Sequence, residues 1–154
     1  MNFKKIITAV VAVVSLSFAL VPAISGVNAQ TLQTSSNVET VLNFARLNTV
    51  AAPTQGSVAI VQKTDGSTVL RLQNLKTEAG PDLHVYLLAA AVPTKEANGK
   101  TVKANKFLDL GKLGAPFAGF VEYKIPAGTD LSQYKSAIIW CDQVGTTFAG
   151  ATLN

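Results

Sequence analysis

The stretch Gly119-Phe120-Val121-Glu122-Tyr123-Lys124-Ile125 decides the fold class. In an extended chain successive side chains point to opposite faces, so its Phe, Glu and Lys share one face and its Val, Tyr and Ile share the other. One polar face and one apolar face are typical of a half-buried antiparallel strand. Pro126 follows and ends the strand, because proline has no N–H to donate to a ladder. This segment therefore predicts an antiparallel sheet packed on a core.

Six further segments have the short, β-branched or aromatic composition of strands and are bounded by turn residues. They are residues 57–62, 68–72, 83–88, 107–111, 134–141 and 146–153. Asp65-Gly66 lies between the first two, and this dipeptide between two such runs predicts a hairpin. We therefore predict an all-β fold, an antiparallel β-sandwich or flattened barrel of about seven to nine strands.

The N-terminus has the order of features of a secretory signal peptide. Two lysines precede an almost entirely apolar run over residues 6–21, and Pro22 and the small residues Val27 and Ala29 follow. The run is about 16 residues long, shorter than the about 20 that a membrane-spanning helix needs. We expect cleavage of residues 1–29, no permanent membrane anchor afterwards, and a secreted protein, extracellular or periplasmic.

The rest of the chain divides into a leader and one domain. Residues 30–43 read as a polar leader with a possible short helix, because apolar side chains at 38, 41, 42 and 45 fall at helical spacing. Residues 44–154 form the β domain. Within it, the polar, lysine-rich residues 93–106 predict a long exposed loop or hairpin tip.

Several function classes are excluded by motif and charge. The sequence has no Gly-x-Ser-x-Gly, no glycine-rich phosphate loop, no His-Glu-x-x-His and no Cys-x-x-Cys. Signal cleavage would lower the formal net charge from +4 to +2, and the remaining lysines are scattered, so we expect no nucleic-acid partner. No complete catalytic constellation is present. Whether the chain is an enzyme stays open; an active protein would be a redox protein rather than a hydrolase or transferase, and no cofactor is indicated.

One predicted strand carries a row of polar side chains. Period-two geometry places Asp82, His84 and Tyr86 on one face and the leucines and valine between them on the other. A carboxylate, an imidazole and a phenol on one face could form a functional site. The alternative is a hydrogen-bonded, partly solvated sheet face.

A second segment carries the only cysteine and the only tryptophan. Residues 136–142 place Ala137, Ile139 and Cys141 on one face, and Ile138 and Trp140 on the other, so we predict Trp140 in or beside the core. Cys141 is either a small buried hydrophobic residue or a reactive thiol tuned by a nearby group such as His84.

The lone thiol leaves two further possibilities. In an exported protein it could link two chains, but a Cys141-linked dimer would form only if the thiol is exposed. Cys141 and His84 are also weak candidates for a metal site, and one ion could bridge them only if both side chains point into one volume.

Three segments together resemble the DM13 domain family. They are Gly80-Pro81-Asp82-Leu83-His84-Val85-Tyr86-Leu87, Ile138-Ile139-Trp140-Cys141 and the ending Phe148-x-x-Ala151-x-Leu153. The resemblance runs from about residue 44 to residue 153 and implies an extracellular, β-rich domain. The family often stands beside DOMON domains, sandwich folds associated with haem or sugar binding. Its signature cysteine, which Cys141 matches, has been proposed to take part in redox or electron-transfer chemistry.

The resemblance leads to one expectation and one alternative. We expect an exported DM13-like domain with a redox or electron-transfer role centred on Cys141, with Asp82, His84, Tyr86 and Trp140 as neighbours of the site. The usual partner domains are missing, so the redox or surface partner would be another protein. The alternative is a non-catalytic extracellular binding or surface-interaction module in which the cysteine is structural and buried.

Overall fold

A computed structural model describes residues 38–115 and 117–154 and forms two antiparallel sheets of four and five strands. The strands are β1 (Thr40–Arg46), β2 (Asn48–Thr49), β3 (Thr54–Gln62), β4 (Thr68–Thr77), β5 (Leu83–Leu88), β6 (Phe107–Lys112), β7 (Ala118–Ile125), β8 (Ser136–Cys141) and β9 (Thr146–Thr152). A short helix, α1 (Asn98–Ala104), lies between β5 and β6, and a 3₁₀ turn (Leu131–Gln133) precedes β8. The predicted all-β sandwich is confirmed. The predicted signal peptide lies outside the described residues.

The four-stranded sheet has the order β1-β3-β4-β7. Its central hairpin, β3–β4, turns at the predicted Asp-Gly: Gly66 has φ = 81°, which glycine adopts without steric cost. Asp65 Oδ1 accepts a hydrogen bond from the Ser67 backbone N–H at 2.8 Å and fixes the turn. In β7, Tyr123 and Ile125 are buried whereas Phe120 is exposed, which confirms the predicted alternation.

The five-stranded sheet has the order β2-β9-β8-β5-β6, so β8 and β5 are interior strands. The core fills the space between the two sheets. Its members are the alternate, inward-facing side chains of both sheets, including Val58, Ile60, Leu70, Leu72, Leu83, Val85, Leu87, Tyr123, Ile125, Ala137, Ile139 and Cys141. A fully buried aliphatic side chain of this kind contributes about 1.5–3 kcal/mol.

A second apolar cluster lies on the other side of the five-stranded sheet, which we call its outer face. It joins Tyr86 and Leu88 of β5 to Ile138 and Trp140 of β8 and to Val102 of α1. The prediction that Trp140 lies beside the core is confirmed. Because both faces of β8 are covered, all six of its residues are buried.

Two local predictions were wrong. The helical spacing at residues 38–45 belongs to β1, in which a bulge between Val41 and Asn43 disturbs the period-two pattern. Residues 93–106 are not simply an exposed loop, because they contain α1, whose Asn98 and Val102 are buried. Among the described residues, no helix has the length and apolar character needed to span a bilayer.

Candidate functional site

The polar row predicted at Asp82, His84 and Tyr86 lies along one face of β5 and of the residue before it. Leu83, Val85 and Leu87 enter the core between the sheets, and Tyr86 lies in the cluster on the outer face. His84 lies opposite Trp140 in the neighbouring strand β8, and directly opposed residues of paired strands share a face. The outer face of β5 therefore brings His84 and Tyr86 beside Trp140.

His84 is held between two carboxylates. Its Nδ1 lies 2.9 Å from Asp109 Oδ2, and its Nε2 lies 3.5 Å from Asp82 Oδ1. The same Asp82 oxygen lies 2.8 Å from Lys112 Nζ, and the hydrogen bond from Lys112 holds the pKa of Asp82 below its usual value. The two carboxylates fix the orientation of the imidazole. The His84 side chain is 12% exposed, so solvent still reaches its edge.

A bulge in β6 is what brings Asp109 to His84. Val85 pairs with Gly111 and Tyr86 pairs with Asp109, so Leu110 is an extra residue on the β6 side. Asp109 Oδ1 accepts a hydrogen bond from the Gly111 N–H at 2.8 Å, and Gly111 has φ = 130°, a conformation suited to glycine. Bulges of this kind re-aim side chains, and here Asp109 turns toward His84 while Lys112 reaches Asp82.

Three aromatic rings pack beside the histidine; together with His84 we call them the outer-face cluster. Tyr86 stacks on Phe107 with ring centroids 4.7 Å apart and an interplanar angle of 11°, and it lies 6.4 Å from the Trp140 ring. The His84 ring meets Tyr86 edge-on at 6.0 Å. Tyr86 and Trp140 are 4% and 3% exposed, whereas Phe107 is 45% exposed and forms the cluster's outer surface.

The two buried rings of the cluster have a carboxylate in common. Trp140 Nε1 donates a hydrogen bond to Asp142 Oδ1 at 2.9 Å. Burial raises the pKa of Tyr86 to about 12, and the negative charges of Asp142 and Asp109 add to the effect. The phenol of Tyr86 therefore keeps its proton at neutral pH.

The helix α1 closes the cluster from above. Val102 belongs to the same apolar cluster as Trp140 and Tyr86, and hydrogen bonds of Asn98 fasten the helix to β9. The Asn98 side chain accepts from the Thr147 backbone N–H at 2.7 Å and donates to the Thr147 carbonyl at 3.2 Å, the pairing that another strand would provide. A Cβ on Gly99 would lie 2.7 Å from the Gly145 carbonyl oxygen, so only glycine fits at this contact.

Cys141 lies on the other side of the same sheet. Its side chain belongs to the core between the sheets, is 0% exposed, and forms no disulfide. Cys141 pairs with Leu83, whereas His84 pairs with Trp140, so the thiol and the imidazole project from opposite faces of the sheet. The structure thus groups Asp82, His84, Tyr86 and Trp140 but does not bring Cys141 to them.

The same separation bears on the weak metal candidates. An ion with bonds of about 2.0–2.3 Å cannot join side chains on opposite faces of a sheet. Within residues 38–115 and 117–154, no group of three or more His, Cys, Asp or Glu side chains is placed to hold a metal ion.

Three members of the site, namely Phe107, Asp109 and Asp142, were not predicted from the sequence. The first two were in a predicted strand, and period-two alternation would have placed them on one face. Their approach to Tyr86 and His84 depends on the pairing of β6 with β5 and on the bulge at Leu110, neither of which a single sequence reveals.

These features define a small antiparallel sandwich with a buried tyrosine–tryptophan pair and a bracketed histidine on the outer face of one sheet. The chain belongs to the DM13 family: the family model described as "Electron transfer DM13" matches residues 44–153. At the level of the family, this description gives the chain a redox-related function. A search of curated proteins and a search of solved structures each gave no match.

Proposed function

We propose that this chain is an exported electron-transfer domain that exchanges single electrons with a separate redox protein through the outer-face cluster. The observation that carries the proposal is the pairing of Tyr86 and Trp140, two side chains that can lose one electron, with ring centroids 6.4 Å apart. Asp142 accepts the indole N–H hydrogen bond and supplies the base that such a loss requires.

The proposed step conserves charge and protons. A strong one-electron oxidant, the oxidised metal centre of a partner protein, takes one electron from the Trp140 indole. The indole N–H bond breaks along its hydrogen bond, and the proton passes to Asp142, which leaves a neutral tryptophyl radical and a carboxylic acid. A reduced donor then returns one electron to Trp140, and the proton moves back from Asp142.

Phe107 is the proposed point of contact with the partner. Its ring is 45% exposed and stacks on Tyr86, which in turn adjoins Trp140. Transient redox encounters bury little surface, typically less than about 1,200 Å². The exposed Phe107 ring, with the exposed carboxylate of Asp109 two residues along the same strand, is the proposed centre of such a small contact.

Cys141 is the second candidate for the electron carrier, as the family resemblance implies. The observation that favours it is its position directly after Trp140 at the end of β8. Thiol exchange or oxidation requires that a reagent touch Sγ, and the Cys141 side chain is 0% exposed. A Cys141-centred mechanism therefore needs the sandwich to open, whereas outer-sphere transfer at Trp140 does not.

Photochemical oxidation tests the aromatic mechanism. A photo-oxidised ruthenium tris-bipyridine complex is the oxidant, and electron paramagnetic resonance of frozen samples identifies the radical. We expect a tryptophyl signal from the native protein, its loss in Trp140→Phe, and a much smaller yield in Tyr86→Phe, which removes the phenol between Phe107 and Trp140. Tyr134→Phe is the matched control, because Tyr134 is also buried but lies outside the outer-face cluster. Native yields in both cluster variants would reject the mechanism.

Two further measurements separate the candidates and test export. Cys141→Ala should leave the radical yield unchanged, and a maleimide should label Cys141 only after denaturation; rapid labelling of the folded protein would favour the thiol mechanism instead. For export, we expect the protein outside the cytoplasm with Gln30 as its first residue. Sequencing of exported protein that begins at Met1 would contradict the proposed cleavage.

A further inference from the structure

The edge strand β1, together with Val38 just before it, carries four of the seven exposed large apolar side chains of the described residues. Val38, Val41, Leu42 and Phe44 are 49–70% exposed, and only three other large apolar residues in these ranges are exposed to a similar degree. In the described part of the chain β1 pairs with β3 alone, so its other backbone edge has no strand beside it. Exposed apolar edge strands are templates for pairing with another chain.

The bulge in β1 gathers its outer side chains onto one face. Val41 pairs with Val61 and Phe44 pairs with Ala59, although they are three residues apart, because Leu42 is the extra residue of the bulge. Val61 and Ala59 share the outer face of the four-stranded sheet. Arg46, opposite Ser57, continues this row two residues beyond Phe44. At the other end Glu39 joins the same face, because it accepts a hydrogen bond from Arg71, which pairs with Ala59.

We propose that two copies of this chain associate through an antiparallel pairing of their β1 strands, centred between Leu42 and Asn43. In this register Val41 lies opposite Phe44 of the other copy, and Glu39 lies opposite Arg46. Both contacts occur twice because the pairing has two-fold symmetry. An apolar pair is thus flanked on each side by a pair of opposite charges, all on one face of the joined sheet.

The bulge also selects a second copy over other partners. A bulged edge strand pairs poorly with a regular strand, because the extra residue breaks the ladder. When two identical bulges meet at the symmetry axis, Leu42 of each copy lies opposite Asn43 of the other. The register is therefore the same on both sides of the axis. The association does not depend on the proposed redox function, because the outer-face cluster lies on the other sheet.

Analytical ultracentrifugation of the exported protein, from about 1 µM to about 1 mM, tests the pairing. We expect the average mass to rise from one chain toward two. Phe44→Lys should abolish the rise, whereas Phe120→Lys, at an equally exposed phenylalanine of the same sheet, should not. A native protein that stays monomeric throughout, or a Phe44→Lys variant that still dimerises, would overturn the proposal.

A charge exchange tests the register itself. Glu39→Lys and Arg46→Glu each turn both ionic pairs into repulsive ones, so each variant alone should dimerise about tenfold more weakly. A mixture of the two restores both pairs and should dimerise as the native protein does. Lys100→Glu is the control, because it makes the same charge change as Arg46→Glu at an exposed position far from β1 in the sequence, in α1. Circular dichroism confirms that Glu39→Lys, which also loses its contact with Arg71, remains folded. Failure of the mixture to recover would refute this pairing.

Discussion

Replacement of Asn98 by alanine should detach α1 from the sheet. The Asn98 side chain is the bonded partner of both backbone groups of Thr147, and it also donates to Thr146 Oγ1 at 2.7 Å. Thr147 is 0% exposed, so no water replaces these bonds while α1 stays in place. Each buried backbone group left without a partner costs about 1–3 kcal/mol. Two such groups are left, so we expect Asn98→Ala to lower the free energy of unfolding by about 2–6 kcal/mol.

The structure provides a local reporter for this detachment. Trp140 is the only tryptophan of the chain; it lies beside α1 and shares one apolar cluster with Val102 of that helix. We expect acrylamide to quench the fluorescence of Trp140 weakly in the native protein and much more strongly in Asn98→Ala. Urea unfolding followed by circular dichroism gives the global free energy alongside it.

Asn105→Ala is the matched control. Asn105 donates a single hydrogen bond to the Thr101 carbonyl within α1 and does not reach the sheet. Its removal should cost only about 0.5–1 kcal/mol and leave the quenching of Trp140 unchanged. If the free energy of unfolding of Asn98→Ala lies within about 0.5 kcal/mol of the native value and its quenching is native, then Asn98 does not hold the helix.

Three other predictions concern packing and pH. Gly99→Ala should destabilise the protein, because its Cβ would meet a backbone carbonyl at 2.7 Å, whereas Gly114→Ala, with open space around it, should not; thermal unfolding compares them. The pKa values of Tyr86 and Tyr123 are both raised to about 12, so these tyrosines ionise at lower pH in the unfolded chain than in the folded one. The free energy of unfolding should therefore fall as pH rises from about 10 to about 12, and it should fall less steeply in Tyr86→Phe; urea titrations at alkaline pH measure this. Hydrogen bonds from Lys63 and Arg71 hold the pKa of Glu122 below its usual 4.5. The contribution of Glu122 to the free energy of unfolding is therefore present above pH 4.5 and lost as pH falls through the lower pKa of the folded state. Glu122→Gln should flatten the acid side of a stability–pH curve, and an unchanged acid side would contradict the ion pairs.

The strands were predictable because their signals are local. Alternation and turn residues placed seven strands close to their observed positions, and they placed Tyr86 and Cys141 on the correct faces of β5 and β8. The resemblance to the DM13 family was confirmed by the match over residues 44–153. What alternation cannot give is the partner of each strand, since pairing joins residues far apart in sequence.

The parts that failed depend on such distant contacts. The helical spacing before residue 46 was a by-product of a bulge, and a bulge is defined by two strands rather than one. The lysine-rich composition of residues 93–106 predicted a solvent-exposed loop, but the Asn98 side chain forms hydrogen bonds with β9, 49 residues along the chain. Asp109 reaches His84 through a bulge in β6, so only one of the two carboxylates that contact the histidine, Asp82, could be predicted from the sequence.

The double burial of β8 has an evolutionary consequence. A strand with one solvated face can drift freely at every second position, but Ser136–Cys141 has no such position, because all six residues are enclosed. The polar residue Ser136 is also constrained, because its Oγ donates a hydrogen bond to the Ala90 carbonyl at 2.7 Å. Sequence change in this strand is therefore restricted to exchanges between side chains of similar volume, and compensating changes must arise in α1 on one side or in the opposite sheet on the other. Among descendants of this chain, β8 should be the segment that diverges most slowly, and α1 should diverge together with it.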